Sequence, residues 1–163
     1  MTTVILNRRN LLVAGGSVLA TGISGLLLSA RAAQGLAPTP SMSGGSNNYR
    51  KGAPTVDRIG KGGFWMSGTV RRAGDGAPLA GQRIQIWAHT AEGQEQEPQS
   101  HGATLTDKDG KFRLEMPQII PIFGQPHGHL AYDSGEFRTV FLRPVMRSAK
   151  ETSLEAHFVL QPA

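Results

Sequence analysis

Gln82-Arg83-Ile84-Gln85-Ile86-Trp87-Ala88 is the stretch whose pattern decides the fold class. Ile84, Ile86 and Ala88 fall on one side of an extended chain, and Arg83, Gln85 and Trp87 on the other. An alternation of this kind, rich in β-branched and aromatic residues, predicts a strand with one face in a core. Working outward, runs of similar character lie at 64–72, 103–106, 111–116, 128–132, 137–143 and 156–160. In the last of them Phe158 and Leu160 share a face. Turn residues separate the runs, as at Gly74-Asp75-Gly76, Asp107-Lys108-Asp109-Gly110 and Asp133-Ser134-Gly135. Seven short strands at this spacing predict an all-β, antiparallel sandwich over 64–163. No long stripe of helical period competes with it, and only a short turn is expected around 148–154. Asp107-Lys108-Asp109-Gly110 opens like a calcium loop, but the rest of the ligand series is missing, so a hairpin turn is expected there.

On the N-terminal side the pattern stops. Residues 34–63 are rich in Gly, Pro, Ser and Asn and show almost no apolar periodicity, which predicts a linker and an irregular arm. Residues 1–33 have the layout of an export signal. Arg8-Arg9-Asn10-Leu11-Leu12 is a twin-arginine pattern, an uncharged run follows from Leu11 to Ala30, and Ala30-Arg31-Ala32 gives small residues for cleavage after Ala32 or Ala33. The expected location is periplasmic, with an uncleaved membrane anchor as the alternative.

Composition narrows the chemistry. A chain of 163 residues leaves room for one modest domain beyond the signal. It has no Cys, which excludes disulfides, thiolate metal sites and thiol nucleophiles, so any metal must use His, Tyr, Asp or Glu. The formal charge of +5 includes Arg8, Arg9 and Arg31; without them 14 basic residues face 12 acidic ones, a net of +2. The remaining basic residues are dispersed among acidic ones, so no nucleic-acid partner is expected.

An ordered series of motifs resembles the intradiol ring-cleavage dioxygenases, the non-haem ferric enzymes that open catechols between their hydroxyls. The series begins at Tyr49-Arg50-Lys51-Gly52-Ala53-Pro54 and continues through Ser67-Gly68-Thr69-Val70, Gly74-Asp75-Gly76-Ala77-Pro78-Leu79-Ala80-Gly81 and Ile84-Gln85-Ile86-Trp87. It then runs through Gly93, His101-Gly102 and Thr106-Asp107-Lys108-Asp109-Gly110-Lys111-Phe112 to His127-Gly128-His129. The earlier pieces occur in many transthyretin-like sandwiches, whereas the series ending in H-x-H is more specific. The resemblance implies an intradiol-type β-sandwich, iron as cofactor, and an aromatic diol and dioxygen as reactants. It also leaves room for a homo-oligomer or a partner subunit, and implies no organic cofactor.

His127 and His129 are the expected metal ligands. Alternate residues of a strand project to one side with Cα atoms about 6.5 Å apart, so two such imidazoles can converge on one ion. In the resembled family two tyrosinates complete the set, and here they are missing. Gln94-Glu95-Gln96-Glu97 stands where the first would follow Gly93, and Pro117-Gln118-Ile119-Ile120-Pro121-Ile122-Phe123 where the second would lie. Gly124 matches the family's active-site Arg, and Val140 its Gln. The other metal-capable groups are His89, the acidic pair Glu95 and Glu97, and four candidate third ligands: His101, Asp133, Tyr132 and Tyr49. Continuing the strand period puts Asp133 on the side of the two histidines and Tyr132 on the other. Two histidines and a carboxylate would suit ferrous iron. Gln125, just before the histidines, is a candidate for positioning substrate. Three readings stay open: a diol-opening dioxygenase, a non-catalytic binding or assembly domain that kept the sandwich and lost the chemistry, or a copper or zinc site on the same two histidines.

Overall fold

The computed structural model describes residues 35–122 and 124–163; the export signal and anchor readings over 1–33 lie outside the described residues. Seven strands form two sheets. The strands are β1 (Phe64–Arg72), β2 (Arg83–Ala88), β3 (His101–Leu105), β4 (Lys111–Met116), β5 (Gly128–Tyr132), β6 (Val140–Leu142) and β7 (Ser153–Leu160). One sheet has the order β4-β1-β7 and the other β3-β2-β5-β6. Among the described residues there is no α-helix, only a short 3₁₀ turn at Pro98–Ser100, and no helix long and apolar enough to cross a membrane. The expected all-β sandwich is the architecture found.

The core lies between the sheets. Ile84 and Ile86 of β2, Leu130 and Tyr132 of β5 and Leu142 of β6 meet Met66, Leu114 and Phe158 of the facing sheet. The side of β2 marked by Ile84 and Ile86 is therefore the inner one. Gly68 of β1 is demanded by the close approach of β7, for a Cβ there would lie 1.7 Å from the Ala156 carbonyl oxygen.

Three features depart from the expected pattern. First, β1 and β7 pair in parallel, Trp65 opposite Ser153 through Arg72 opposite Leu160, within an otherwise antiparallel sandwich. A parallel pair needs a long crossover, and the rest of the domain between them supplies it. Second, the expected run 137–143 shortens to Val140–Leu142, and β7 begins at Ser153, inside the stretch expected to turn. Third, 107–110 is a corner between β3 of one sheet and β4 of the other, not a hairpin. Asp107 closes it by accepting from the backbone N–H groups of Asp109 and Lys111, so its carboxylate is committed to the turn.

The arm decides the outer face of the four-stranded sheet. Residues 35–63 contain no strand, yet they lie against the sandwich through bridges such as Thr55 with Ala103 and Arg58 with Glu115. Trp87, Gln85, His129 and Ala131, all on the side opposite Ile84 and Ile86, are fully buried. The Asn47 carbonyl accepts from the Trp87 indole, the Arg50 carbonyl accepts from Gln85, and the Tyr49 ring packs on Trp87 and Phe141. Both faces of β2 are thus interior, one apolar and one mixed.

Candidate metal centre

The mixed face carries the site. Trp87 of β2 is paired with His101 of β3 on one side and His129 of β5 on the other. The three rings stack, indole to imidazole, at 5.5 and 5.1 Å between centroids and within 11° of parallel. His127 precedes β5 and is held by a bridge to Val145; its ring meets that of His129 edge-on at 5.0 Å. The loop from β2 to β3 then brings Glu95 across the two imidazoles. Its carboxylate Oε2 lies 3.4 Å from His129 Nε2 and 3.7 Å from His127 Nε2.

A hydrogen bond sets the His129 tautomer. His129 Nδ1 lies 3.1 Å from the Gly45 carbonyl oxygen, which can only accept, so Nδ1 carries the proton and Nε2 presents a lone pair. The nearest partner of His127 Nδ1 is the Gln125 carbonyl oxygen at 3.0 Å, with the Arg143 guanidinium at 3.3 Å. The carbonyl calls for a proton on His127 Nδ1 and the guanidinium, which only donates, for a lone pair there, so these two contacts leave the His127 tautomer open. Burial lowers the His129 pKa, which favours the neutral, ligating form. Glu95 is oriented from two sides: Asn48 donates to Oε1 at 2.6 Å, and His101 Nε2 donates to its backbone carbonyl at 2.8 Å.

This leaves acceptors facing acceptors. His129 Nε2 and Glu95 Oε2 are both buried and have no hydrogen-bond partner. An unsatisfied buried polar atom costs about 1–3 kcal/mol, and two lone pairs aimed at one another cost more. A cation between them removes the conflict. Glu95, His127 and His129 each offer a donor atom to one cluster, and the 3.4 and 3.7 Å from Glu95 Oε2 to the two imidazole Nε2 atoms suit ligands that each lie about 2.0–2.2 Å from a shared ion. Among the described residues this donor set fits a metal ion, and the carbonyls on both Nδ1 atoms are the outer partners that metal-bound imidazoles ordinarily have.

The four candidate third ligands make other contacts. Tyr49 donates its hydroxyl to Asp133, and Asp133 also faces Arg83 at 3.5 Å, so both belong to a network fastening the arm. Asp133 is on the histidine side of the sheet, but this pairing occupies its carboxylate. The Tyr132 hydroxyl accepts from the Phe137 backbone N–H at the core side. His101 lies across Trp87 from His129 and supports Glu95 through its backbone. Gln125 is exposed and reaches the site through its carbonyl. Glu97 accepts from the Gln94 backbone N–H and from Gln99, staying within its own turn. The donor not ranked among the third ligands is Glu95. Its signal in the sequence is position alone: a carboxylate in the segment matched to the family's first tyrosine.

No protein-family model matches the sequence, nor does any curated protein sequence. Solved structures do match the fold. The hydroxyquinol 1,2-dioxygenase of Pseudomonas putida DLL-E4 is 16% identical, with a TM-score of 0.58 over 88% of this chain and 73% of that one. The dioxygenase domain of a dioxygenase carbohydrate-binding protein fusion from Streptomyces sp. SirexAA-E is 15% identical, with a TM-score of 0.58 over 78% and 99%. The catechol 1,2-dioxygenase of Pseudomonas arvilla C-1 is 18% identical, with a TM-score of 0.52 over 87% and 69%. The chain therefore has the fold of the catechol and hydroxyquinol 1,2-dioxygenases, with a histidine, histidine and glutamate cluster on the covered face of its larger sheet.

Proposed function

We propose that this chain is a mononuclear non-haem iron protein of the intradiol dioxygenase type, exported by the twin-arginine route, that opens a catechol-type aromatic diol with dioxygen. The observation that carries the metal reading is the buried, unpartnered pair His129 Nε2 and Glu95 Oε2, with His127 Nε2 beside them. The dioxygenase reading rests on the shared fold and on the neighbours' diol substrates. When bound, iron would supply a single centre at which the diol oxygens and dioxygen can meet. Two neutral imidazoles and one carboxylate fit the ferrous ion, since they bring one negative charge where the resembled family's tyrosinates bring two. The chain's own part is to hold Glu95 and both histidines in fixed orientation and to keep water away from His129, which is 0% exposed.

The test is the metal content of the purified exported protein. About one iron per chain is expected, lost in the His127→Ala, His129→Ala double variant and in Glu95→Ala. Because Tyr49 and Tyr132 are bonded elsewhere, the loaded protein is expected to lack a tyrosinate-to-iron band in the visible. Dioxygen uptake with catechol should follow iron content. Absence of bound metal in the wild-type protein overturns the reading.

A second reading has its own motivation. Gly124 and Val140 stand where the resembled family has an Arg and a Gln, and neither can donate a side-chain hydrogen bond. A metal-loaded protein that consumes no dioxygen with any catechol would favour a binding or assembly domain.

A further inference from the structure

Residues 45–49 cross the outer face of the larger sheet, touching the cluster at two points and the neighbouring Trp87 at a third. Gly45 supplies the carbonyl that fixes the His129 tautomer. It can lie that close because it has no side chain: a Cβ would sit 2.9 Å from the Phe141 backbone. Asn47 accepts from the Trp87 indole with its carbonyl. Asn48 donates to Glu95 Oε1. Asn48 is the one non-glycine residue with a positive φ, 57°, among the described residues. L-residues adopt that region at a cost, Asn more readily than most, and here it delivers the amide to the carboxylate.

The geometry points to Asn48 as a positioning residue of the metal centre, one that turns Glu95 so that Oε2 faces the imidazoles and thereby couples metal binding to docking of the 45–49 strap. This rests on the metal reading above. A carboxylate has two oxygens and can rotate. The 2.6 Å bond to Oε1 opposes that rotation, and no other side chain donates to the Glu95 carboxylate among the described residues. His101 supports only its backbone. Outer partners of metal ligands typically matter by 10–100-fold in affinity. Asn48 is exposed, which places the expected effect at the lower end.

The experiment uses the full mature chain and Co(II) alone, with affinity measured by competition against a chromophoric chelator and the cobalt site followed by its visible spectrum. Asn48→Gly removes the amide yet keeps a residue that accepts a positive φ without strain. It should weaken Co(II) binding about tenfold and alter the visible bands, while the metal-free protein melts as the wild type does. Limited proteolysis within the strap should be slowed by Co(II) in the wild type and less so in the variant, because coupling acts in both directions. Unchanged Co(II) affinity and bands in Asn48→Gly, with Glu95→Ala losing the metal, would overturn the positioning role and leave the metal reading standing. Wild-type protein that binds no Co(II) would overturn both. If Asn48→Gly melts lower without metal, Asn48→Asp decides instead: it keeps the backbone preference and sets a like charge beside Glu95. It should bind Co(II) more weakly than wild type, and equal affinity would overturn the role.

Discussion

Tyr49 shows how a residue's place in the fold, more than its type, sets what its side chain touches. Its hydroxyl is a metal-capable group in the sequence, yet in the folded chain it donates to Asp133. Burial first, then that hydrogen bond and the Asp133 charge, push its pKa up to about 12 from 10.0. Burial likewise raises Tyr132. The sign follows from linkage: a folded-state value above the unfolded one favours the folded state below the unfolded pKa, and this is lost as pH rises through the folded pKa. Stability should therefore fall between pH 10 and about 12, and a Tyr49→Phe variant should lose part of that dependence. Absorbance titration of tyrosinate alongside circular dichroism checks it; tyrosinate forming below pH 10 in the folded protein would contradict the Tyr49 to Asp133 bond. The H-x-H pair, by contrast, was legible, because alternate projection is a local property of an extended chain. Glu95 was less so, since it reaches the imidazoles from a loop that has no period to read.

Among the elements, β1 carries the clearest constraint. Gly68 has a close backbone neighbour on β7, and the added methyl of Gly68→Ala meets a carbonyl that cannot swing aside. We expect a loss of about 3 kcal/mol, near the upper end for overpacking, measured by denaturant unfolding. A loss within about 0.5 kcal/mol, as at an ordinary surface site, would show that β1 and β7 do not approach so closely. The strands on either side of the core announced themselves through turn residues and alternation, and β1, β4 and β5 begin and end where those signals place them. What the elements could not disclose was their partners. The parallel pairing of β1 with β7 joins residues from opposite ends of the domain, and nothing in either segment specifies direction. The boundaries that moved, β6 and the start of β7, lie where pairing stops or starts, which is a property of the neighbour as much as of the segment.

At the scale of the whole molecule, binding of the proposed metal would be linked to folding. A ligand that binds only the folded chain stabilises it by about 2.7 kcal/mol at a hundredfold excess over its Kd. The thermal unfolding midpoint of the protein should therefore rise with added Co(II) or Fe(II) under anaerobic conditions and return on chelation. The His127→Ala, His129→Ala variant should show no such shift; a shift retained in it would place the ion elsewhere. The physical ground is that the ligands and their support come from three separated stretches, 45–49, 95 and 127–129, which meet only in the folded domain. By itself the sequence determined the all-β class, most strand positions and the paired histidines, since each rests on alternation, turn chemistry or spacing within a few residues. Only the tertiary structure decided that the outer face of β2 is covered, that Glu95 stands between the histidines, and that Asp133 and Tyr49 are spent on each other. Those outcomes depend on which distant segments come together to satisfy buried polar atoms, and no local pattern encodes that.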